Sequence, residues 1–207
     1  MNTNKYLSKD IILASESKRR IQLLTELKIP FKSVTSPFKE LSFNEFDGGP
    51  TEFALFNAQK KAEEVAKNSK NAFVIGMDTI GEYKGRVFEK PNDRDHAKEM
   101  IGELNGTTHN VITGVCIIDT DSEEIVSAAE VTKVTFSQLS DNEIEAYLDL
   151  GEWRGLACGY GIQGIGALFI EKVEGDYFNV VGFPIHRFYH LMKEMGVNLL
   201  EFMPEIR

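Results

Sequence analysis

The sequence predicts a mixed α/β protein: one continuous unit in which a β-sheet is flanked by helices, with two lobes around a cleft. Three observations carry this reading. Short apolar runs at Ile11–Leu13 and Phe73–Ile75 have the length and composition of buried strands. Between them lie stretches of helical spacing, such as Ile21, Leu24 and Leu27. Two longer segments, about Thr108–Asp119 and Glu124–Phe136, are rich in valine, isoleucine and threonine and suit a sheet. Strands alternating with helices without a repeat or a low-complexity linker point to one layered α/β unit.

The first strand runs into Ala14-Ser15-Glu16-Ser17, then into Lys18-Arg19-Arg20 and an amphipathic helix. Ser15 or Ser17 is the natural N-cap. Three cations in a first helical turn repel the helix dipole, and a local conflict of that kind marks a functional site. A strand feeding a helix N-terminus is a ready anion site, and the cations strengthen it; the alternative is a solvated basic turn without a ligand. No Gly-x-x-x-x-Gly-Lys-Ser/Thr loop occurs.

After Ile29-Pro30, Phe31–Thr35 reads as a second strand. The Pro- and Gly-containing stretch Ser36–Pro50 carries Glu40, Glu45 and Asp47, each of which can be simply solvated. Thr51 looks like the cap of a long helix to about Lys67, with Phe53, Leu55, Phe56, Ala58, Ala62 and Val65 as its apolar contacts. Phe73–Ile75 then leads into Gly76-Met77-Asp78-Thr79, which places a carboxylate at a strand's carboxyl end, where ligands collect in open α/β sheets. Asp78 there can ligate Mg²⁺ or act as a base on water, or it can simply close a turn.

Gly81–Glu89 reads as a hairpin return, Asp93 as the cap of a helix ending at Asn105-Gly106, and Ser140-Asp141-Asn142-Glu143 as a capping box. Gly159-Tyr160-Gly161-Ile162-Gln163-Gly164 matches a dinucleotide fingerprint formally, but no early βαβ unit surrounds it and no acidic residue follows at the required distance. It is better read as a loop that lets backbone approach a ligand, with the Gln163 amide to bond it. A strand over Ala167–Val173, another over Asn179–Val181 and a helix from Pro184 complete the chain.

Composition limits the partners. The chain has 207 residues and a net charge of −9, which argues against a general nucleic-acid or anionic-membrane binder. No apolar stretch reaches the length of a membrane span, and Met1–Lys9 lacks the apolar region of a signal peptide. Cys116 and Cys158 lack metal-site spacing and read as buried free thiols. A cytoplasmic location is the expectation.

Several stretches together carry a resemblance. Leu13-Ala14-Ser15-x-Ser17-x-Arg19-Arg20-x-x-Leu23-Leu24 resembles the opening signature of the Maf family of nucleoside triphosphate pyrophosphatases. Phe31-x-x-Val34 with Glu40, Lys61-Ala62, Gly76-x-Asp78-Thr79, Lys90-Pro91, His109-x-Val111-x-Thr113-Gly114, Tyr160–Gly164 and Asn179-Val180-Val181-Gly182-x-Pro184 follow in the family's order. The resemblance spans nearly the whole chain, read as a single domain over residues 1–207 with no linker. It implies an elongated mixed sheet like that of inosine triphosphate pyrophosphatases. It also implies hydrolysis of a nucleoside triphosphate to monophosphate and pyrophosphate with Mg²⁺ or Mn²⁺, and a homodimer. The family sanitises nucleotide pools and is linked to septum formation.

Residue by residue, the resemblance implies that Ser15, Arg19 and Arg20 hold phosphates. Lys61 and Lys90 add positive charge, Asp78 is the catalytic carboxylate and a metal ligand, Glu40 helps hold the metal, and Gln163 lies in the nucleotide pocket. Ile162-Gln163-Gly164 is similar to the branch that acts on dTTP and UTP, whereas the 7-methyl-GTP branch usually has Ser-Glu there. The chain departs from the family at Lys18 (usually proline), Met77 (usually alanine) and Lys39-Glu40, which stands where an Asp-Glu pair is usual. Lys39 motivates a second reading, a nucleotide-binding regulator without turnover; a third is a protein-interaction module in cell division.

Overall fold

The structure, a computed structural model, describes Tyr6 and residues 8–204. In chain order the elements are β1 (Asp10–Leu13), α1 (Lys18–Glu26), β2 (Lys32–Ser33), α2 (Pro50–Ala66), β3 (Ala72–Tyr83), β4 (Arg86–Phe88) and α3 (Arg94–Leu104). There follow β5 (Thr108–Asp119), β6 (Ile125–Phe136), α4 (Asp141–Leu150), β7 (Ile170–Glu174), α5 (Tyr177–Val181) and α6 (Ile185–Glu194). The strands hydrogen-bond in the order β2-β1-β3-β5-β6-β7, with β4 beside β3. β1 is parallel to β2 and β3, while β3–β4 and β6–β7 are antiparallel, so the sheet is mixed. The expected α/β class with a mixed sheet is therefore observed.

The chain divides into two compact units. The first runs to Asp78, resumes over Gly114–Ala129 and ends with the segment from Ile185. Its core joins β1, α2, β3 and β5 through Ile12, Ala14, Ala58, Ala62, Val65, Ala72, Val74, Cys116 and Ile118. Small residues let helix and sheet come close. A Cβ on Gly76 would lie 2.0 Å from the Ala58 carbonyl oxygen, and one on Gly114 would lie 2.4 Å from that of Ala54. The backbone of α2 therefore rests on two glycines of neighbouring strands.

The second unit holds Thr79–Thr113 and Glu130–Pro184. Its core includes Phe88, Met100, Ile101, Leu104, Val134, Phe136, Tyr147, Leu148, Trp153 and Phe169. Asp93 caps α3, accepting from the His96 N–H at 2.8 Å, and Ser140 with Glu143 forms the expected capping box of α4. Cys116 and Cys158 are buried free thiols, as expected, and burial pushes both up to about 12.

Four local expectations are corrected. α2 begins at Pro50 with Gly49 as its cap, because proline's fixed φ and missing N–H suit the first helical position; Thr51 lies inside the helix. β2 is confined to Lys32–Ser33. Ile165–Phe169 forms a 3₁₀ turn before β7, so that strand starts at Ile170. Asn179–Val181 is helical rather than extended: Asp176 accepts from the Phe178 N–H at 2.8 Å, and Gly182 (φ 102°) ends the segment in the left-handed conformation. Cap and glycine decide a five-residue segment whose apolar pattern fits either period. Among the described residues, no helix is long and apolar enough to cross a membrane.

Candidate active site

Parallel pairing of β1 with β3 places Leu13 opposite Ile75, and the Ala14 N–H donates to the Ile75 carbonyl at 2.8 Å. The turn after β1 is thereby held beside Gly76-Met77-Asp78. Ser15 is buried there; its Oγ accepts from the Ser17 N–H (3.2 Å) and from Arg20 Nη1 (3.2 Å), and its carbonyl accepts from Ser33 Oγ (2.6 Å). Ser17, rather than Ser15, is the N-cap residue, but its side chain makes no capping hydrogen bond. The first turn of α1 is Lys18-Arg19-Arg20, with no acidic residue in it.

Arg20 is the best buried of these cations. Its Nη1 also donates to the Met77 carbonyl at 3.1 Å, one residue from Asp78. Burial pushes its guanidinium down to about 10, and the like charge of Arg19 acts in the same direction. The charges of Asp78 and Glu40 oppose that fall, so Arg20 stays cationic at neutral pH beside two carboxylates.

Asp78 sits inside β3 rather than at a strand's carboxyl end, because the strand continues through Thr79 and Ile80 to a turn at Lys84-Gly85. The reading of Asp78 as a turn residue falls with it. Gly76 and Asp78, two residues apart in an extended strand, face the same way. The glycine admits α2, and α2 delivers two side chains one turn apart onto Asp78. Lys61 Nζ donates to Asp78 Oδ1 at 2.6 Å, and Asn57 Nδ2 to Oδ2 at 3.1 Å. Lys61 also forms an ion pair with Glu40, so one ammonium bridges the two carboxylates.

Glu40 reaches Lys61 because the segment before α2 is fastened by aromatic rings. Phe43 and Phe46 pack on Phe53 at 5.3 and 5.4 Å, and Phe46 and Phe38 pack on Phe56 at 5.3 and 6.3 Å. Glu45 does not join Glu40 at Lys61 but closes a capping box, accepting from the Ser42 N–H at 3.0 Å. Lys39 and Asp47 are exposed.

Thus Ser15, Arg19, Arg20, Glu40, Lys61 and Asp78 belong to the first unit, and all but Arg19 are linked by the contacts above. Asn57 was missed from the sequence. It is 1% exposed, and its Oδ1 has no hydrogen-bond partner among the described residues. Its one sequence signal is its place a helical turn before Lys61.

Lys90 and Gln163 lie in the second unit and are exposed. Lys90 adjoins the start of the glycine-rich loop, where the Cys158 N–H donates to the Glu89 carbonyl at 3.1 Å. Gln163 lies in the turn closed by the Gly164 N–H on the Gly161 carbonyl (3.2 Å). Glu152 organises that loop by accepting from the backbone N–H groups of Ile165 (2.5 Å) and Gly166 (2.8 Å).

Comparison with known proteins agrees with the motifs. The chain is 41% identical over 190 residues to the dTTP/UTP pyrophosphatase of Clostridium novyi (strain NT), covering 91% of this chain and 99% of that one. It is 44% identical over 189 residues to the dTTP/UTP pyrophosphatase of Syntrophomonas wolfei subsp. wolfei, covering 91% and 98%. With the protein of that name from Pyrococcus furiosus it shares 44% identity over 177 residues, covering 86% and 90%. Among solved structures, the Ham1 protein of Staphylococcus aureus is similar with a TM-score of 0.45 and 16% identity, covering 93% of this chain and 96% of that one. The α/β class rests on the strand pairings above, not on that likeness. The profile of the family described as Maf-like protein matches residues 10–195, and the chain belongs to the Maf family.

Proposed function

We propose that this protein hydrolyses pyrimidine nucleoside triphosphates, dTTP and UTP foremost, to the monophosphate and pyrophosphate. The observation that carries the reading is the carboxylate of Asp78, fixed on one oxygen by Lys61 and on the other by Asn57, with Arg20 beside it. Relatives 41–44% identical over about nine-tenths of the chain bear the name dTTP/UTP pyrophosphatase.

In this mechanism Ser15, Arg19, Arg20 and Lys61 hold the phosphates and stabilise the charge that builds on their oxygens. Each oxygen of Asp78 keeps a lone pair beyond the one it gives to Lys61 or Asn57. Asp78 uses one to orient a water and accept its proton as the water oxygen attacks the α-phosphorus. The bond from that phosphorus to the bridging oxygen breaks, and pyrophosphate leaves with the electron pair. Lys90 and Gln163 are proposed as further substrate contacts, Gln163 for the base.

Glu40 and Asp78 offer only carboxylate oxygens, the donors that Mg²⁺ and Mn²⁺ take alongside phosphate oxygens and water, so the donor set fits such an ion. When bound there, the ion would neutralise charge on the phosphate oxygens. Lys61 already holds the two carboxylates towards one point, which suits them to share a cation.

The test is pyrophosphate release from dTTP, UTP, CTP, 7-methyl-GTP, GTP and ITP with Mg²⁺ and then Mn²⁺. Turnover of dTTP and UTP above the rest is expected. Preference for 7-methyl-GTP would overturn the choice of base, and tight dTTP binding without turnover would point to a regulator.

A further inference from the structure

Helix α6 buries Phe188, Leu191 and Met192, which turns His186, Tyr189 and His190 to the exposed face. His186 and His190 are one helical turn apart, so their side chains are neighbours. Their ring centroids lie 4.4 Å apart at 69°, and the two Nε2 atoms are 3.0 Å apart. We propose that His186 and His190 form a bidentate chelate for a divalent transition-metal ion of the Cu²⁺, Ni²⁺ or Zn²⁺ class, bound through both Nε2 atoms on the outer face of α6.

The spacing is what carries this. With metal–nitrogen bonds of about 2.0–2.1 Å, two ligands at a right angle lie about 2.9 Å apart, and two at the tetrahedral angle about 3.4 Å. The observed separation falls between these values, nearer the right-angled arrangement of square-planar and octahedral ions, so the rings need only a slight adjustment. Neutral imidazoles at this spacing share one proton, the first Nε2 donating and the second accepting. Binding moves that proton to Nδ1 of the donating ring through solvent, which both exposed rings contact. One N–H···N hydrogen bond is lost, two nitrogen–metal bonds form, and no net proton is released.

Imidazole selects copper, nickel and zinc over the oxygen-seeking Mg²⁺, so this site differs in chemistry from the Glu40–Asp78 pair. The chain's net charge of −9 favours any cation. Among the described residues no third histidine, cysteine or acidic side chain joins the pair in a group able to hold a metal, and water can fill the remaining positions.

The test uses the full chain with Cu²⁺ read by electron paramagnetic resonance and Ni²⁺ read by titration calorimetry. One tightly held Cu²⁺ per chain is expected, with hyperfine structure from two imidazole nitrogens. His186→Ala and His190→Ala should each weaken binding by more than about tenfold, and the double variant should abolish the signal. Both positions are exposed, so the metal-free melting temperature and pyrophosphate release should not change. An oxygen-only spectrum, or a two-nitrogen signal that survives in the double variant, would overturn the proposal.

Discussion

Gly76 faces the carbonyl oxygen of Ala58 so closely that a methyl group on residue 76 would lie 2.0 Å from it and 2.8 Å from the Ala62 nitrogen. Both obstacles are helix backbone, which yields only if α2 moves. Gly76→Ala should cost about 1–3 kcal/mol as overpacking, lowering the melting temperature by several degrees. It should also reduce pyrophosphate release, because Asn57 and Lys61 ride on the displaced helix. A variant that melts and turns over like the parent would show that this approach is not needed.

Asp78→Asn keeps the size of the side chain and removes the charge and the base. Pyrophosphate release should fall by about 10²–10⁴, the usual worth of a positioned general base, while circular dichroism stays that of the parent. Substantial remaining activity would remove Asp78 from its role.

Asn57 acts through Asp78 and is a positioning residue. Asn57→Leu leaves Asp78 Oδ2 without its amide donor, and kcat should fall about tenfold, one lost hydrogen bond to a charged group, with KM little changed. Asn57→Asp puts a second carboxylate against the first and should displace the pH–rate profile upward as well. A structural role alone would lower stability and leave that profile in place.

His109 is a stability switch. It is buried, with Nε2 2.7 Å from the Tyr160 hydroxyl, and burial pushes its imidazole down to about 4. An unfolded histidine titrates near 6.5, so between those values the unfolded chain binds more protons and the fold weakens as pH falls. The loss should reach about 3 kcal/mol by pH 4. Denaturant midpoints between pH 6.5 and 5 isolate this effect, because carboxylates protonate mainly below that range; His109→Gln should flatten the slope.

The glycine-rich loop tests the choice of base. Replacing Ile162-Gln163 by Ser-Glu should shift the ratio of kcat/KM away from dTTP and UTP. An unchanged ratio would exclude Gln163 as the base contact.

Much of this was legible in the sequence because it depends on near neighbours. The Ser140–Glu143 box and the Asp93 cap are set by side chains three residues from their partners, and both appear where the pattern puts them. Arg19 and Arg20 stand out because cations in a first helical turn repel the dipole of their own helix. Ser15 stands out because it sits where a strand feeds that turn, and Asp78 because it follows a buried apolar strand. Asn57 does not, since an asparagine inside a helix looks solvated until Gly76 brings α2 onto β3. The position of Asp78 within β3 was hidden for a related reason: Gly76 looks like the start of a turn, whereas it serves a helix that packs against the strand. The segment Tyr177–Val181 shows the opposite limit, five residues being too few for a period to declare itself.

The ring cluster of Phe43, Phe46, Phe53 and Phe56 has a consequence for how the two acidic groups come loose. Asp78 is held within a central strand, and exchanging its amide with solvent requires opening the sheet. Glu40 is delivered by a segment with no strand pairing of its own, attached by apolar contacts that weaken on cooling. Releasing Glu40 breaks ring contacts and its ion pair with Lys61 but no strand pairing, so it should take less free energy than opening the strand around Asp78. Hydrogen exchange should find residues 38–47 among the first amides to open and 74–78 among the last.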